Sequence, residues 1–212
     1  MQNGIVTAVS FAAVARPLAG NQRTSDEELI EGIRDGGSVA MQILFARYQV
    51  RVYRFVLRRV GDAAVAEDLT SEVFITVWRH ANQFAARSSV ATWLLAIARY
   101  KSLAELRRRC RIESRLQRMP ADEIASDPVE SPEAAECGLQ AEDRRRLVRK
   151  CLMRLPREHR TVIDLVYYHE KSVKEVADIV GIPPNTVKTR MYYARRKLAE
   201  LLKDEGIVAL SS

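Results

Sequence analysis

Hydrogen-bonding and cationic side chains are concentrated near the C-terminus, in residues 184–202. Apolar residues recur there at steps of three and four, which predicts a helix with a buried stripe formed by Val187, Met191, Ala194, Leu198 and Leu201. The polar side chains must then face outward or lie on the flanks: Asn185, Thr186, Lys188, Thr189, Tyr192, Tyr193, Arg195 and Arg196. Arg190 is a further DNA-binding candidate on this helix. Amide, hydroxyl and cationic groups of this kind suit contacts with the base edges and phosphates of DNA.

The residues before this helix complete a helix-turn-helix pattern. Ala177, Gly181 and Val187 follow one another at offsets of four and six. Two steeply crossing helices need a small residue where they touch, a glycine in the turn and an apolar residue facing back. An ordinary solvated helical hairpin is the alternative, but the outward face has almost no acid before Glu200. The pattern therefore predicts a DNA-binding helix-turn-helix.

A second basic stretch, in residues 84–111, differs because aromatic side chains lie close to cationic ones. Stacking platforms beside phosphate-neutralising groups are what single-stranded nucleic acid requires. Core packing remains the alternative for Phe84 and Trp93. The candidate residues are Phe84, Arg87, Ser88, Trp93, Tyr100, Lys101, Arg107 and Arg108.

Signals of enzymatic chemistry are absent from the sequence. It contains no phosphate-binding loop, dinucleotide-binding, zinc-protease or nucleophile-elbow motif. The histidines have no partners at ligand spacing, and no two cysteines form a CxxC pair, so we expect surface histidines and inert thiols in a reducing cytoplasm. These residues are His80, His159, His169, Cys110, Cys137 and Cys151. We predict no catalytic residue, no metal and no cofactor.

Composition and charge place these features in two modules. The chain has 212 residues, of which 47% are hydrophobic and 29% charged, with 9 Gly and 7 Pro, and this excludes collagenous and low-complexity classes. No apolar run reaches the roughly 18 residues that span a bilayer, so we expect no membrane insertion. The net charge is 0 for residues 1–84, +7 for 85–118, −8 for 119–143 and +8 for 144–212. Two basic modules therefore flank an acidic separator.

The separator also contains three prolines, Pro120, Pro128 and Pro132, and is predicted to be an exposed, flexible linker. We predict an all-α protein in which two autonomous, small helical domains, residues 24–114 and 138–204, are joined by an acidic linker, 115–137. A tail follows at 205–212. Residues 1–23 are expected to be a mobile extension, or else the product of a start codon assigned too far upstream. A signal peptide is not favoured, because no basic residues precede the apolar segment.

The helices of the first domain follow from capping signals and periodicity. Ser25 and Glu28 form a capping-box pattern, and Asp62 and Ser89 are suited to cap two later helices. Glycine at position 61 is expected to end the second helix. One face of that helix is cationic and is expected to be solvated, with a contact surface as the alternative: Arg47, Arg51, Arg54 and Arg58.

Several stretches, in this order and spacing, resemble a bacterial extracytoplasmic-function (ECF) sigma factor over residues 26–203. They are Phe45-Ala46-Arg47-Tyr48, residues 66–74 (AEDLTSEVF), Thr92-Trp93-Leu94, Ile97-Ala98-Arg99, Arg107-Arg108-Arg109, Leu155-Pro156, residues 186–190 (TVKTR) and residues 194–198 (ARRKL). The resemblance implies two helical domains without an enzymatic site. It further implies a protein that binds core RNA polymerase, directs it to promoter DNA and helps to open the duplex.

The resemblance also implies roles for the candidate residues. Asp68, Ser71 and Glu72 would dock on core polymerase. The aromatic and basic set of residues 84–108 would read the minus-ten element, and the last helix would read the minus-thirty-five element. An anti-sigma factor is a common partner of the group. Tyr100, Ala104 and Tyr193 depart from residues frequent in the family, so the promoter sequence does not follow from the resemblance.

Two other functions fit parts of the sequence. A sigma-mimicking protein that titrates an anti-sigma factor would keep the helical pattern without needing Lys188, Arg190, Arg195 and Arg196. A conventional helix-turn-helix transcriptional regulator would explain the last domain but not the aromatic and basic end of the first.

Overall fold

The computed structural model describes residues 24–116 and 139–205, and every regular element in these ranges is helical. The predicted all-α class is therefore confirmed. The predicted extension, most of the linker and nearly all of the tail lie outside the described residues. The helices are α1 (Asp26–Arg34), α2 (Ser38–Val60), α3 (Ala63–His80), α4 (Val90–Leu116), α5 (Leu139–Met153), α6 (Arg157–Ile163), α7 (Val173–Val180) and α8 (Pro184–Asp204).

Caps and glycines define the helix ends of the first domain as predicted. The backbone N–H of Ser25 donates to the Glu28 carboxylate at 2.7 Å, and the Ser25 hydroxyl accepts from the Glu28 N–H at 3.2 Å. The Asp62 carboxylate caps α3 by accepting from the N–H of Val65 at 3.0 Å. Gly61 ends α2 in the left-handed conformation, with φ of 71°. A glycine adopts this conformation without steric strain.

Helix α4 is central to the first domain, because its N-terminal half is apolar on almost every side. It packs against α2 and α3, whose apolar stripes face it. The most deeply buried side chains of this core are Leu44, Val52, Phe55, Val56, Val73, Val77, Leu94 and Leu95. Beyond Leu106 most residues of α4 are exposed, and this part of the helix is strongly basic.

The second domain contains the predicted helix-turn-helix. Helix α7 begins with a capping box between Ser172 and Glu175 and ends at Gly181, whose φ of 69° permits the sharp turn into α8. Ala177 is 6% exposed and Val187 is fully buried, so the small contact residue and the returning apolar residue are confirmed. Before α7, the end of α6 widens into a single π-helical turn at Asp164–Tyr168.

The two domains pack against each other, which differs from the expectation that they are autonomous. Helix α4 contacts α7, and one buried apolar cluster includes Val56 of α2 together with Val162, Leu165 and Val176 of the second domain. No helix within residues 24–116 and 139–205 is long and apolar enough to cross a membrane.

The cationic face of α2 is not simply solvated, and that prediction is wrong. Arg51 donates to the backbone carbonyl of His169, and the Arg58 guanidinium forms an ion pair of 2.6 Å with Asp164. Arg47 pairs with Asp26 inside the first domain. The face acquires these partners because the second domain places its π-helical turn against it, a tertiary contact that helical periodicity does not encode.

Candidate nucleic-acid interface

The outer face of α8 presents the predicted polar set to solvent. Asn185, Lys188, Thr189, Arg195 and Arg196 are exposed. The Thr189 hydroxyl donates to the Asn185 carbonyl at 3.0 Å, one turn earlier. Arg196 lies 3.4 Å from Glu200 in an exposed pair, which is weak enough to exchange for a phosphate contact.

Arg190 and Thr186 lie at the edge of this face and are half-buried. Arg190 forms an ion pair of 2.5 Å with Glu158 of α6. The guanidinium of Arg190 therefore already has an intramolecular partner, whereas Lys188 is exposed to solvent. The two predicted cations of the first two turns are not equivalent.

Three tyrosines lie near the outer face of α8, and two of them, Tyr192 and Tyr193, face outward as their spacing predicts. Tyr192 and Tyr193 are 63% and 51% exposed and contact each other edge to face, with ring centroids 5.4 Å apart. The spacing of Val162, Ile163, Val166 and Tyr167 predicts one apolar face. Tyr167 is nevertheless 55% exposed, and the Arg195 guanidinium lies over its ring at 5.8 Å. The π-helical turn rotates Tyr167 out of the stripe that regular helical periodicity predicts.

The candidate residues in the loop before α4 and at the start of α4 differ in their burial. Phe84 is 6% exposed and packs on Trp93 with ring centroids 5.1 Å apart, and its carbonyl accepts from Arg34. Trp93 is half-buried, while Arg87 is exposed and Ser88 is half-buried. The core-packing alternative therefore describes Phe84 in this structure.

Along α4 the cationic candidates lie on the surface. Tyr100 is 73% exposed, and Arg107 is exposed. Arg108 donates two hydrogen bonds of 2.7 and 2.8 Å to Glu105, and these hold the pKa of the Glu105 carboxyl below its usual value. Lys101 lies 3.0 Å from Glu72 of α3.

The predicted docking residues form a stripe on α3. Asp68 and Glu72 are exposed, and the Ser71 hydroxyl donates to the Glu67 carbonyl at 3.0 Å. Two apolar side chains extend this stripe by one and two turns: Ile75 is 49% and Trp78 is 42% exposed. Both fall outside the buried stripe of α3, which is formed by Ala66, Leu69, Val73 and Val77 at helical spacing, and that spacing could have identified them.

A polar cluster at the domain interface joins the start of α4 to α7. The Lys171 ammonium donates to the Thr92 hydroxyl at 2.9 Å and to the Glu175 carboxylate at 2.7 Å, and Thr92 in turn donates to Glu175 at 2.8 Å. Burial by itself would raise the pKa of Glu175. Hydrogen bonds from Lys171, the Ser172 backbone and Thr92 outweigh that effect and lower this pKa to about 2.

A second polar cluster joins α2 to the π-helical turn. His169 is 2% exposed, so its expected surface position is wrong. Its Nε2 lies 3.0 Å from the Arg58 guanidinium, which can only donate, so Nε2 accepts and the ring is neutral. Burial, followed by Arg58 and Arg51, lowers the pKa of His169 to about 3. Burial raises the pKa of Asp164 to about 6 against the opposing effect of Arg58 and Arg59.

The described ranges contain no organised site for metal binding or for thiol chemistry. No group of three or more His, Cys, Asp or Glu side chains there could hold a metal ion. Cys110 is an exposed free thiol and Cys151 is a buried one.

Comparison with known proteins agrees with this architecture. Residues 44–112 match the Sigma-70 region 2 family and residues 145–198 match the Sigma-70 region 4 family. The chain is 30% identical over 179 residues to the ECF RNA polymerase sigma factor SigL of Mycobacterium tuberculosis, which covers 84% of this chain and 97% of that protein. This chain belongs to the ECF sigma factor family. It is a sigma factor that directs RNA polymerase in transcription initiation.

Other relatives of this sigma factor have the same span and fold. It is 28% identical over 182 residues to the ECF RNA polymerase sigma factor SigW of Bacillus subtilis, covering 82% of this chain and 95% of that one. The solved sigma factor RpoE, in complex with the anti-sigma factor NepR from Bartonella quintana, shares the fold with a TM-score of 0.61 and 23% identity, over 76% and 96% of the two chains. CnrH, in complex with the cytosolic domain of CnrY, has a TM-score of 0.61 and 21% identity over 85% and 99%.

Proposed function

We propose that this sigma factor acts in the cytoplasm through three separate surfaces, each on a helix already described. The supporting observation is the order of a region 2 domain and a region 4 domain, in which exposed acids lie on α3 and exposed cations lie on α8. Core polymerase, the minus-ten element and the minus-thirty-five element are the respective ligands. Residues 24–114 and 138–204 form the corresponding domains.

The docking surface for core polymerase consists of Asp68, Ser71 and Glu72, extended by Ile75 and Trp78. Carboxylates flanked by exposed apolar side chains combine electrostatic orientation with burial of apolar area, a common composition of protein interfaces. This helix is otherwise packed into the core, so it offers a rigid platform. Docking would therefore require no rearrangement of α3.

The minus-ten surface consists of the loop before α4 and the solvent face of α4. Arg87, Tyr100, Arg107 and Arg108 are available at the surface, and Lys101 is available after release from Glu72. The N-terminal end of this surface is formed by the remaining candidates, Phe84, Ser88 and Trp93. Exposed Tyr100 provides a face for base stacking, and the cations lie on the same helix as phosphate partners.

The minus-thirty-five surface is the outer face of α8. Lys188 and the N-terminal polar side chains Asn185, Thr186 and Thr189 lie in the part of a recognition helix that enters the major groove. Arg195 and Arg196, farther along, are placed for phosphates, and Arg190 is available only after it leaves Glu158.

An anti-sigma factor is a further proposed partner. The structures of RpoE with NepR and of CnrH with CnrY are complexes of sigma factors with such proteins or domains, and this chain shares their fold. A titrating mimic and a conventional regulator are the competing functions. The family matches favour neither competing function, because they extend over both region 2 and region 4 of a sigma factor.

Reconstituted transcription separates these functions. Purified chain, core polymerase and a library of promoter fragments should give transcripts that depend on both proteins and on a shared sequence motif. A titrating mimic would bind an anti-sigma factor without yielding transcripts. A conventional regulator would bind duplex DNA but would leave core polymerase inactive at these promoters.

A further inference from the structure

Arginines from four helices lie close together where α2, α4, α6 and α8 meet. The set, here called the arginine cluster, consists of Arg59, Arg99, Arg107, Arg157, Arg160 and Arg190. Glu158 acts on the charge of Arg99 but is already paired with Arg190 at 2.5 Å. Asp164 acts on the charge of Arg59 but is already paired with Arg58 at 2.6 Å. Cations therefore outnumber acids in this region.

Hydrogen bonds hold Arg59 beside the start of α6. Its guanidinium donates to the Thr161 hydroxyl at 3.0 Å, and that hydroxyl donates to the Arg157 carbonyl at 2.8 Å. The same guanidinium lies over the Phe55 ring, 5.2 Å from its centroid. Its Nε atom is buried and has no hydrogen-bond partner among the described residues. The fold thus fixes a cation here and leaves one of its donors unused.

Arg99 of α4 is placed among cations of both domains. It is half-buried, and its buried Nε atom also has no hydrogen-bond partner within residues 24–116 and 139–205. Burial, and then Arg190 and Arg107, lower the pKa of its guanidinium. Burial, followed by Arg99, lowers the pKa of Arg59 to about 10, so Arg59 is still a cation at neutral pH. Buried charges in proteins are normally paired with opposite charges, and this arrangement therefore favours an anionic ligand.

An open cavity of about 360 Å³ adjoins the cluster between α4 and the start of α6. Its lining combines cationic and apolar side chains: Leu103, Leu106, Arg107, Cys110, Arg111 and Arg157. Small-molecule sites have volumes from about 300 Å³ upward and pair apolar walls with a few convergent polar groups. A guanidinium donates two parallel hydrogen bonds in a planar fork that matches the oxygens of a phosphate. Several guanidinium groups around one cavity suit a ligand with more than one phosphate.

The cluster differs from the cations of the promoter surfaces in where its donors lie. The Nε atoms of Arg59, Arg99 and Arg160 are buried, and Arg190 is paired with α6, whereas Lys188 is exposed on the outer face of α8. The backbone of a nucleic acid follows exposed cations along a groove. A small anion is therefore the occupant that this site favours.

We propose that the arginine cluster and its cavity form a binding site for a small molecule that contains a diphosphate group. Free pyrophosphate and a nucleoside diphosphate share this chemistry. In a nucleoside diphosphate, the apolar wall formed by Leu103 and Leu106 would contact the nucleoside. The site goes beyond promoter reading and requires neither core polymerase nor DNA.

Isothermal titration calorimetry of the full chain, at constant ionic strength, measures binding of pyrophosphate and, separately, of adenosine diphosphate. Arg99→Gln and Arg157→Gln should each weaken binding about tenfold or more, because charge-assisted hydrogen bonds to phosphate are lost. Arg154→Gln is the matched control and should bind as the wild type does. It removes the same charge at an exposed position three residues before Arg157, outside the cavity lining. Tighter binding of adenosine diphosphate would assign the apolar wall to a nucleoside, and tighter binding of pyrophosphate would assign the site to the free anion.

Cys110 reports where the ligand binds, because its exposed thiol lines the cavity. Alkylation by iodoacetamide, followed by peptide mass spectrometry, measures the reaction of Cys110 separately from that of the other thiols. Bound pyrophosphate should slow this reaction severalfold in the wild type but not in Arg157→Gln at the same concentration. Circular dichroism identifies any variant that is unfolded. Arg157 is exposed, so Arg157→Gln provides the decisive comparison if Arg99→Gln does not fold.

The inference is overturned if neither pyrophosphate nor adenosine diphosphate binds the wild type. Equal losses of affinity in Arg157→Gln and Arg154→Gln would also overturn it, because they would indicate general attraction to a basic chain. Protection of Cys110 by a single-stranded oligonucleotide but not by pyrophosphate would replace it with a nucleic-acid contact. Failure of the proposed function is a different result. It would appear as a chain that does not bind core polymerase in a pull-down, whatever its affinity for diphosphates.

Discussion

Lys101 of α4 and Glu72 of α3 form an ion pair across the first domain, with Nζ and Oε2 3.0 Å apart. The pair joins two surfaces with different proposed ligands, because Glu72 belongs to the docking surface and Lys101 to the minus-ten surface. Its carboxylate is 55% exposed, and an exposed pair of this kind contributes at most about 1 kcal/mol to folding. Substitution of Glu72 therefore tests binding with little effect on the fold.

Reversing both charges of the docking surface should abolish binding to core polymerase. Asp68→Arg combined with Glu72→Arg replaces two exposed carboxylates by cations and lowers the free energy of unfolding by no more than about 1 to 2 kcal/mol. A pull-down with core polymerase measures binding, and circular dichroism verifies folding. Glu31→Arg, the same kind of charge reversal at an exposed position of α1, should bind as the wild type does. Retained binding by the double variant would remove these residues from the docking surface.

Lys188, Arg190 and Arg196 should differ in how they affect promoter selection. Lys188→Ala should reduce binding by about 1 to 3 kcal/mol and relax preference at one base pair, because Lys188 is exposed at the N-terminal part of α8. Arg196→Ala should weaken binding to all promoter sequences alike. It should also reduce by about 1 the slope of the logarithm of the binding constant against the logarithm of the salt concentration. Arg190→Ala should have a smaller effect on base preference, because Glu158 competes for its guanidinium. Transcription from a minus-thirty-five substitution library at several salt concentrations measures all three. Uniform losses would show that the helix binds the backbone without reading bases through these side chains.

Gly181→Ala should destabilise the protein by about 1 to 2 kcal/mol through backbone strain alone. The glycine has φ of 69°, and a Cβ there would have no neighbouring atom within 4 Å, so no steric contact adds to the effect. Gly181→Asn should cost less, because asparagine tolerates the left-handed region. Urea denaturation measures both variants. Equal stability of Gly181→Ala and the wild type would contradict the strain argument.

Stability should depend on pH in opposite directions through His169 and Asp164. The lowered pKa of His169, about 3, means that the stability it supports is complete above pH 6.5 and falls on acidification. The raised pKa of Asp164, about 6, means that acidification from pH 6 toward 4 relieves the penalty of burying its carboxylate. The two effects partly cancel in the wild type. Glu175 titrates below this window.

Single substitutions should separate the two contributions. Asp164→Asn should lose stability as the pH falls from 7.5 to 5, because only the histidine effect remains. His169→Gln should gain stability relative to the wild type over the same range. Urea midpoints at several pH values measure both. Arg51, Arg58 and Lys171 face this cluster and remain in both variants. Parallel slopes for the two variants would show that His169 and Asp164 do not make opposite contributions to the pH dependence of stability.

The sequence was sufficient for most helix ends, for the helix-turn-helix and for the identity of the family, although not for the π-helical turn at Asp164–Tyr168. Helix ends at Ser25, Asp62 and Gly181 depend on interactions within a few residues, so capping chemistry and glycine conformation predict them. The helix-turn-helix follows for the same reason, because Ala177 and Val187 belong to one short, continuous segment. The polar face of α8 is determined by periodicity once its buried stripe is known.

Only the tertiary structure decided which of these side chains are available. Phe84 is aromatic and adjacent to cations, but whether it stacks on a base or in the core depends on Trp93 and α1, which fold against it. Arg58 and His169 are 111 residues apart in the chain, and their contact arises because the second domain packs on α2. Burial and charge pairing between distant segments are properties of the packed chain. No periodicity or spacing in the sequence encodes them. The contacts between the two domains could therefore be identified only from the tertiary structure.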